Sequence, residues 1–224
     1  MKFREENYII RPLLCKEVMA LIIEKHYLHR KCPCSFAFGL IKENKIVGVC
    51  MYGTPSSAPL RRGIAGDRYK NEVIELTRLW IEDSIGRNAE SFLIGNTIRK
   101  INKKIIVSFA DTSQGHLEIV YQASNFLYTG LSAKRTDWTV RGINKHGQTL
   151  ADKYTVSEMR EHYGDDFFLT ERPRKHRYIF INASSKKEKK EILEALRYPL
   201  LSYPKRKIDC NLHTQDRLEE ENHV

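Results

Sequence analysis

No stretch of this chain approaches the roughly 18 consecutive apolar residues that a membrane-spanning helix requires. The opening segment MKFREENYII carries charges where a secretory leader needs an apolar run. A cytoplasmic protein with no membrane partner is therefore the expectation. Cysteine is scarce and odd in number, five in 224 residues, which argues against a disulfide framework and for reduced thiols. No internal repeat is visible, so solenoid and propeller architectures are set aside. Acid falls short of base: 28 Asp and Glu face 38 Lys and Arg, leaving a formal charge of +10. That surplus fits a polyanionic partner, nucleic acid above all, although charge by itself does not separate DNA from RNA or from an anionic cofactor.

What is present supports a folded domain, since 41% hydrophobic residues supply a core. KEVMALIIEKHYLHR (16–30) has apolar residues at helical spacing and reads as an amphipathic helix ending near His26. FAFGLIKENKIVGVCMYG (36–53) is two apolar runs around the turn pair Glu43-Asn44, a β-hairpin. TPSSAPLRRGIAG (54–66) is rich in Pro, Ser and Gly and reads as a loop. VIELTRLWI (73–81) alternates as a strand, and AESFLIGNTIRKI (89–101) reads as a helix. KIIVSFAD (104–111) is a nearly continuous apolar run, as in a strand covered on both faces. HLEIVYQASNF (116–126) reads as a helix, LYTGLS (127–132) as the next strand, SEMREHYG (157–164) as a short helix and KHRYIFIN (175–182) as the last strand. This order predicts an α/β fold, with a domain over 1–183. From Ser184 the composition shifts to SSKKEKKEILEALRYP and then to an acidic end. That segment reads as a basic helical extension and loosely held tail over 184–224.

Two features carry chemistry on their own terms. ELTRLWIEDSIGRNAES (75–91) runs from strand through a glycine turn into a helix start. The free amides of a helix amino terminus bind phosphate, and Arg87 adds charge, although an ordinary strand–helix turn has the same spacing. Arg78 lies in a strand that otherwise reads as buried, and a buried charge needs a partner. Farther on, Asp111 with Thr112 and Ser113 has the chemistry of a helix amino-cap.

IVYQASNFLYTG (119–130) resembles the helix-to-strand segment of GNAT-type acyltransferases, with Asn125-Phe126 in place of their glycine-phenylalanine pair. Asparagine tolerates the left-handed conformation that ends such a helix. The resemblance implies a GNAT-like, mostly antiparallel central sheet flanked by helices. It also makes the turn before the helix, with Arg87, Asn88 and Ser91, the place for an acetyl-CoA or other small donor, but SIGRNAES lacks the usual glycine-rich pattern.

Four further segments, EKHYLHR, VIELTRLWI, FADTSQGHLEIVYQASNFLYTGLSAKRTDW and RPRKHRYIF, are together similar to the phage Mom family, the adenine-modifying proteins of the Mu type. The similarity runs in order over about residues 1–182. It implies conversion of adenine in double-stranded DNA to N6-carbamoylmethyladenine, protection of phage DNA from host restriction, and a requirement for iron. It also implies a phage-encoded protein acting in the bacterial cytoplasm. Carried onto this chain, the implicated histidine-tyrosine pair is His26 and Tyr27 and the acid is Asp111. His26, Tyr27 and Asp111 become the expected metal ligands. Tyr27, Asp111 and Tyr121 become the expected catalytic groups, and Arg78 joins Ser91 in the elements that would hold the donor. Acyl transfer would leave N6–CO–CH3, whereas this product is N6–CH2–CO–NH2, joined through the methylene carbon. Metal chemistry offers one reason for iron held by imidazole, carboxylate and phenolate. A rival metal reading, zinc on His26, His29, Cys32 and Cys34, departs from the usual Cys-x2-Cys spacing.

Adenine N6 is engaged in base pairing, so an enzyme that builds on it is expected to flip the base. Cationic runs with aromatics suit that task. LSAKRTDWTVR offers Lys134, Arg135 and Trp138, and ERPRKHRY offers Arg174, Lys175, His176 and Arg177. Most charge runs are simply solvated, which is the plainer account of each. Two other functions fit parts of the pattern. One is an ordinary GNAT acetyltransferase acting on protein or small-molecule amines. The other is a non-catalytic DNA-binding module on the same scaffold.

Overall fold

A computed structural model describes residues 3–111, 119–143, 150–151 and 153–204. Nine strands and six helices are described: β1 (Ile9–Leu13), α1 (Cys15–Lys25), β2 (Phe36–Lys42), β3 (Lys45–Gly53), α2 (Ala58–Tyr69), β4 (Val73–Ile81), α3 (Ala89–Ile98), β5 (Ile105–Asp111), α4 (Ile119–Ala123), β6 (Leu127–Leu131), β7 (Arg135–Val140), α5 (Val156–Tyr163), β8 (Phe167–Arg172), β9 (Lys175–Ile181) and α6 (Lys186–Ala195). Seven strands form one sheet in the order β1-β2-β3-β4-β5-β9-β6. Only β4 and β5 are parallel. The fold is mixed α/β with a mostly antiparallel sheet, as the sequence predicts.

The β2–β3 hairpin turns on Glu43 and Asn44, whose φ angles of 48° and 64° give the left-handed pair that matches strand twist. Asn125, at φ 60°, ends α4 with Phe126 N–H donating to Tyr121 O at 2.9 Å. The buried residues divide by face. Ile74, Leu76, Ile106, Tyr121, Phe126 and Tyr178 pack with α3 in one cluster. Val73, Ile105, Val107, Ile179 and Ile192 pack with α2 and α6 on the other. Farther along that second face, Val18 and Ile22 of α1 cover Val49 and Met51. Both sheet faces are thus covered, which is why β5 reads as a continuous apolar run.

Three parts depart from the sequence reading. Residues 54–66 do not form a simple loop. Ser57 Oγ accepts from Leu60 N–H at 3.3 Å and Pro59 sits in the first turn, so a helix starts there and kinks at Ala65–Gly66. Proline and serine are starting signals at this position, not breakers. Cys15 and Cys34 form a disulfide joining the start of α1 to the approach of β2, while Cys32 and Cys50 are free thiols. Their separation of 19 residues hides a proximity made by packing α1 on β2 and β3. β7 and β8, to which the sequence reading assigns no strand, pair with each other as a ribbon outside the main sheet. With α5 the ribbon encloses a small core of Val140, Leu150, Met159 and Phe167.

The last helix belongs to the main core. Ile192 is fully buried, Arg197 N–H donates to Ile64 O at 2.9 Å, and Tyr203 donates to Phe126 O. Thr112, Ser113 and residues 205–224, named above as cap and tail, lie outside the described residues.

Candidate functional site at the parting of two strands

β4 and β5 stay paired for only three residues, Val73↔Ile105 to Glu75↔Val107, and then separate. Beyond the last pair, β4 carries a bulge opposite Met51/Tyr52. The bulge turns Arg78 and Trp80 to the face that Val73 and Glu75 occupy. The apex of the parting is closed by side chains. Ser108 Oγ donates to Tyr121 Oη at 2.6 Å and lies 3.4 Å from the Leu76 carbonyl, which lacks a β5 partner. Tyr121 is buried, its ring tilted against those of Phe126 and Tyr178. Its hydroxyl is therefore part of the wall at the apex.

On the α3 side a cavity of about 370 Å³ brings together Arg87, Asn88 and Ser91 with Phe3 and Glu5. Asn88 caps α3 at φ 75° with no side-chain bond to the first-turn amides, leaving that cap to another acceptor. Ser91 Oγ donates to Asn88 O at 3.0 Å. Three of the four expected donor-site residues thus share one cavity. Arg78 does not line it. Its guanidinium donates to Thr77 O at 2.6 Å and lies 3.5 Å from Arg30 O, beneath the loop that follows α1. Its buried Nε has no partner among the described residues.

That loop is held down by backbone contacts. Ser35 N–H donates to Tyr52 O at 2.7 Å, and Thr77 Oγ1 donates to Pro33 O at 3.1 Å. Gly53 permits the approach, because a Cβ there would stand 2.2 Å from Pro33 O. His26, at the end of α1, is buried and stacks on Tyr27 with ring centroids 4.5 Å apart, while Tyr27 is 51% exposed. Desolvation pushes the His26 imidazole down to about 4, helped by the positive fields of Arg78, His29 and Lys175. It is neutral at neutral pH. Its Nδ1 accepts from Leu28 N–H at 3.2 Å, which puts the ring proton on Nε2.

Asp111 ends β5 and pairs with Lys175 Nζ at 3.3 Å, its strand neighbour on β9. Because Lys175 also acts on His26, the two residues expected at one centre lie toward the same end of the sheet. Among the described residues, no three His, Cys, Asp or Glu side chains are gathered as a metal site. In the zinc alternative, Cys34 is held in the disulfide.

On the face opposite α3 lies a larger cleft of about 580 Å³. Arg135, Arg172, Arg174, Lys175 and Arg177 line it, and among the described residues Glu75 is the one carboxylate there. The expected DNA-contacting residues divide here. Lys134, just before β7, and Arg135, its first residue, are exposed, Lys134 standing 3.8 Å from Glu171. Arg174 Nε donates to Ser132 O at 2.6 Å. Trp138 packs edge-on against Phe167 in the small core. His176 Nδ1 is 2.9 Å from Tyr128 Oη, on the other sheet face. Arg177 is buried, donates to Thr129 O at 2.8 Å and lies 3.3 Å from the Tyr198 ring centre. Arg177, Trp138 and His176 thus have structural partners that sequence alone did not indicate. Glu75 and Phe109 also line the cleft and were not among the expected site residues. The signal for Glu75 was the one that drew attention to Arg78: a charge inside an apolar strand.

The Mom protein family model matches residues 7–205. Over 147 residues the chain is 29% identical to the methylcarbamoylase Mom of Escherichia phage Mu, an alignment spanning 63% of this chain and 61% of that protein. Among solved structures it is similar to a ribosomal-protein-S5-alanine acetyltransferase from Vibrio fischeri, with 14% identity and a TM-score of 0.47 over 82% of this chain and 98% of that one. It is also similar to a GNAT family acetyltransferase from Elizabethkingia anophelis with acetyl-CoA bound, with 13% identity and a TM-score of 0.42 over 79% and 99%. With a family match over nearly its whole length, the chain belongs to the Mom protein family.

Proposed function

We propose that this chain is a phage DNA-modification enzyme that converts adenine in DNA to N6-carbamoylmethyladenine and so protects phage DNA from host restriction. Family membership over residues 7–205 supports it, and one structural observation carries it. A strongly cationic cleft that reaches Glu75 at the last β4–β5 pair lies on one face of the sheet, and the amino terminus of α3, where Arg87, Asn88 and Ser91 share a cavity, lies on the other. Polyanionic DNA fits the first. A small donor carrying phosphate or carboxylate fits the second.

The residues divide the work. Arg87 and the α3 amides hold the donor's anionic group. The exposed cations of the cleft hold phosphates on either side of a flipped adenine. Lys175 holds the Asp111 carboxylate in place. Asp111 can then take the N6 proton while the adenine nitrogen displaces a leaving group from the donor's CH2 carbon. The bond to that group breaks with its electron pair as the N6–CH2 bond forms. The wall of Ser108 and Tyr121 keeps water from the apex.

Iron is implied by the resemblance, with His26, Tyr27 and Asp111 as ligands. The described arrangement does not fit it: His26 Nδ1 is taken by Leu28 N–H, Asp111 is paired to Lys175, and no third carboxylate, thiol or imidazole completes a set among the described residues. The roles given to these side chains are independent of a metal.

The test is nucleoside mass spectrometry of DNA from bacteria expressing the chain. A deoxyadenosine carrying an added CH2–CO–NH2 is expected. An N6-acetyl adduct would make the chain an ordinary acyltransferase on DNA, and unmodified deoxyadenosine would overturn the proposal.

A further inference from the structure

Among the described residues, Glu75 is an acid in an unusual place. It is the last β4 residue paired to β5, it faces the cationic cleft, and it is half-buried. Among the described residues its carboxylate makes no hydrogen bond or ion pair; Lys175 and Arg78 act on it only at longer range. A half-buried carboxylate ordinarily takes a partner, so its freedom in a ligand-sized cleft points to the ligand as that partner. Phe109 lines the same cleft from β5, two residues beyond Val107, the strand partner of Glu75. Alternation along β5 puts Phe109 on the face of Val107, so ring and carboxyl sit diagonally across the parting strands.

We propose that Glu75 and Phe109 form the nucleobase recess of this enzyme: the extruded adenine stacks on the Phe109 ring, and its amino edge hydrogen-bonds to the Glu75 carboxyl. This rests on the DNA-modification reading and deepens it. The stacking surface is apolar and half-buried, as base platforms in single-strand sites are. The carboxyl accepts one N6 hydrogen and thereby fixes the direction of the nitrogen lone pair. Burial raises the Glu75 carboxyl above its ordinary value, against the opposing pull of Lys175 and Arg78. In its neutral form the O–H also donates to adenine N1, a two-point contact that a glutamine amide reproduces. The cations at the mouth then take the flanking phosphates, and the edge contact is left to Glu75.

Binding separates this recess from the phosphate contacts. Fluorescence polarisation compares a single-stranded dA12 oligonucleotide with an abasic strand of equal length. Both present the same phosphates, but only dA12 has a base to stack. Wild type is expected to prefer dA12 by about tenfold. Phe109→Leu, which keeps apolar volume, and Glu75→Ala should bind both strands alike, with the salt dependence unchanged. Glu75→Gln should retain most of the preference. Wild-type preference in both Phe109→Leu and Glu75→Ala overturns the recess, as does a wild-type protein indifferent to the base. The two failures are distinguishable. Modified deoxyadenosine in cells with no loss of preference in the variants removes the recess alone. A wild-type preference for dA12 with unmodified cellular DNA removes the modification reading and leaves the recess standing.

Discussion

Glu75 shows how much a single position carries in this molecule. Folding raises its pKa above the 4.5 of an exposed glutamate, first through burial. The folded state therefore binds the proton more tightly than the unfolded chain. Its favourable contribution is complete below that exposed value and is lost as pH rises through the folded one. Glu75→Gln should accordingly melt at a higher temperature than wild type near pH ~8, with the advantage gone near pH ~4. Calorimetry at the two pH values checks it, and an equal offset at both would contradict the burial argument. Gly53 matters for geometric reasons. A Cβ there would meet Pro33 O at 2.2 Å, so Gly53→Ala should cost about 1–3 kcal/mol in denaturant unfolding as the loop carrying Pro33 is displaced. Neither position was legible as such in the sequence. Glycine in a strand and a charge in an apolar run are both visible, but what each faces depends on chain segments more than 19 residues away.

At the scale of elements the sequence is most readable where one local rule decides. Glu43-Asn44 between two apolar runs gave the hairpin, and the unbroken apolar run of 104–111 gave a strand covered on both faces. It misled where one residue type serves two rules. Pro59 and Ser57 start α2, although the same pair punctuates loops. The Cys15–Cys34 bridge and the pairing of β7 with β8 depend on contacts across the fold, which periodicity does not report. The last helix was legible as a helix, but its place was not. Ile192 seals the second core against Ile64 and Tyr69, so Ile192→Ala should cost about 2–5 kcal/mol, measured by urea or thermal unfolding. A change below about 0.5 kcal/mol would show that α6 does not hold that core together.

For the whole molecule the central relation is between a sheet that opens and two chemically unlike cavities on its opposite faces. The basic surplus visible in composition is partly spent on internal contacts, as with Arg177 over Tyr198, so net charge alone overstated the free cationic surface. What remains at the cleft mouth, Arg135 among it, should still make DNA affinity fall steeply with salt. Arg135→Ala should reduce the slope of log K against log salt by about 0.9, the value for one phosphate contact on duplex DNA. An unchanged slope would take β7 off the DNA face. The site residues were readable as a set only through family resemblance, because His26 and Asp111 are far apart in sequence and are drawn toward one end of the sheet by the fold.

The most direct measurement is the fraction of deoxyadenosine carrying a carbamoylmethyl group in DNA from cells expressing wild type, Arg87→Ala and Arg135→Ala at matched levels. If donor and DNA meet where β4 and β5 part, wild type yields the modified nucleoside and both variants yield several-fold less, each losing one side of the encounter. Unmodified adenine from wild type, or wild-type yields from both variants, would contradict it.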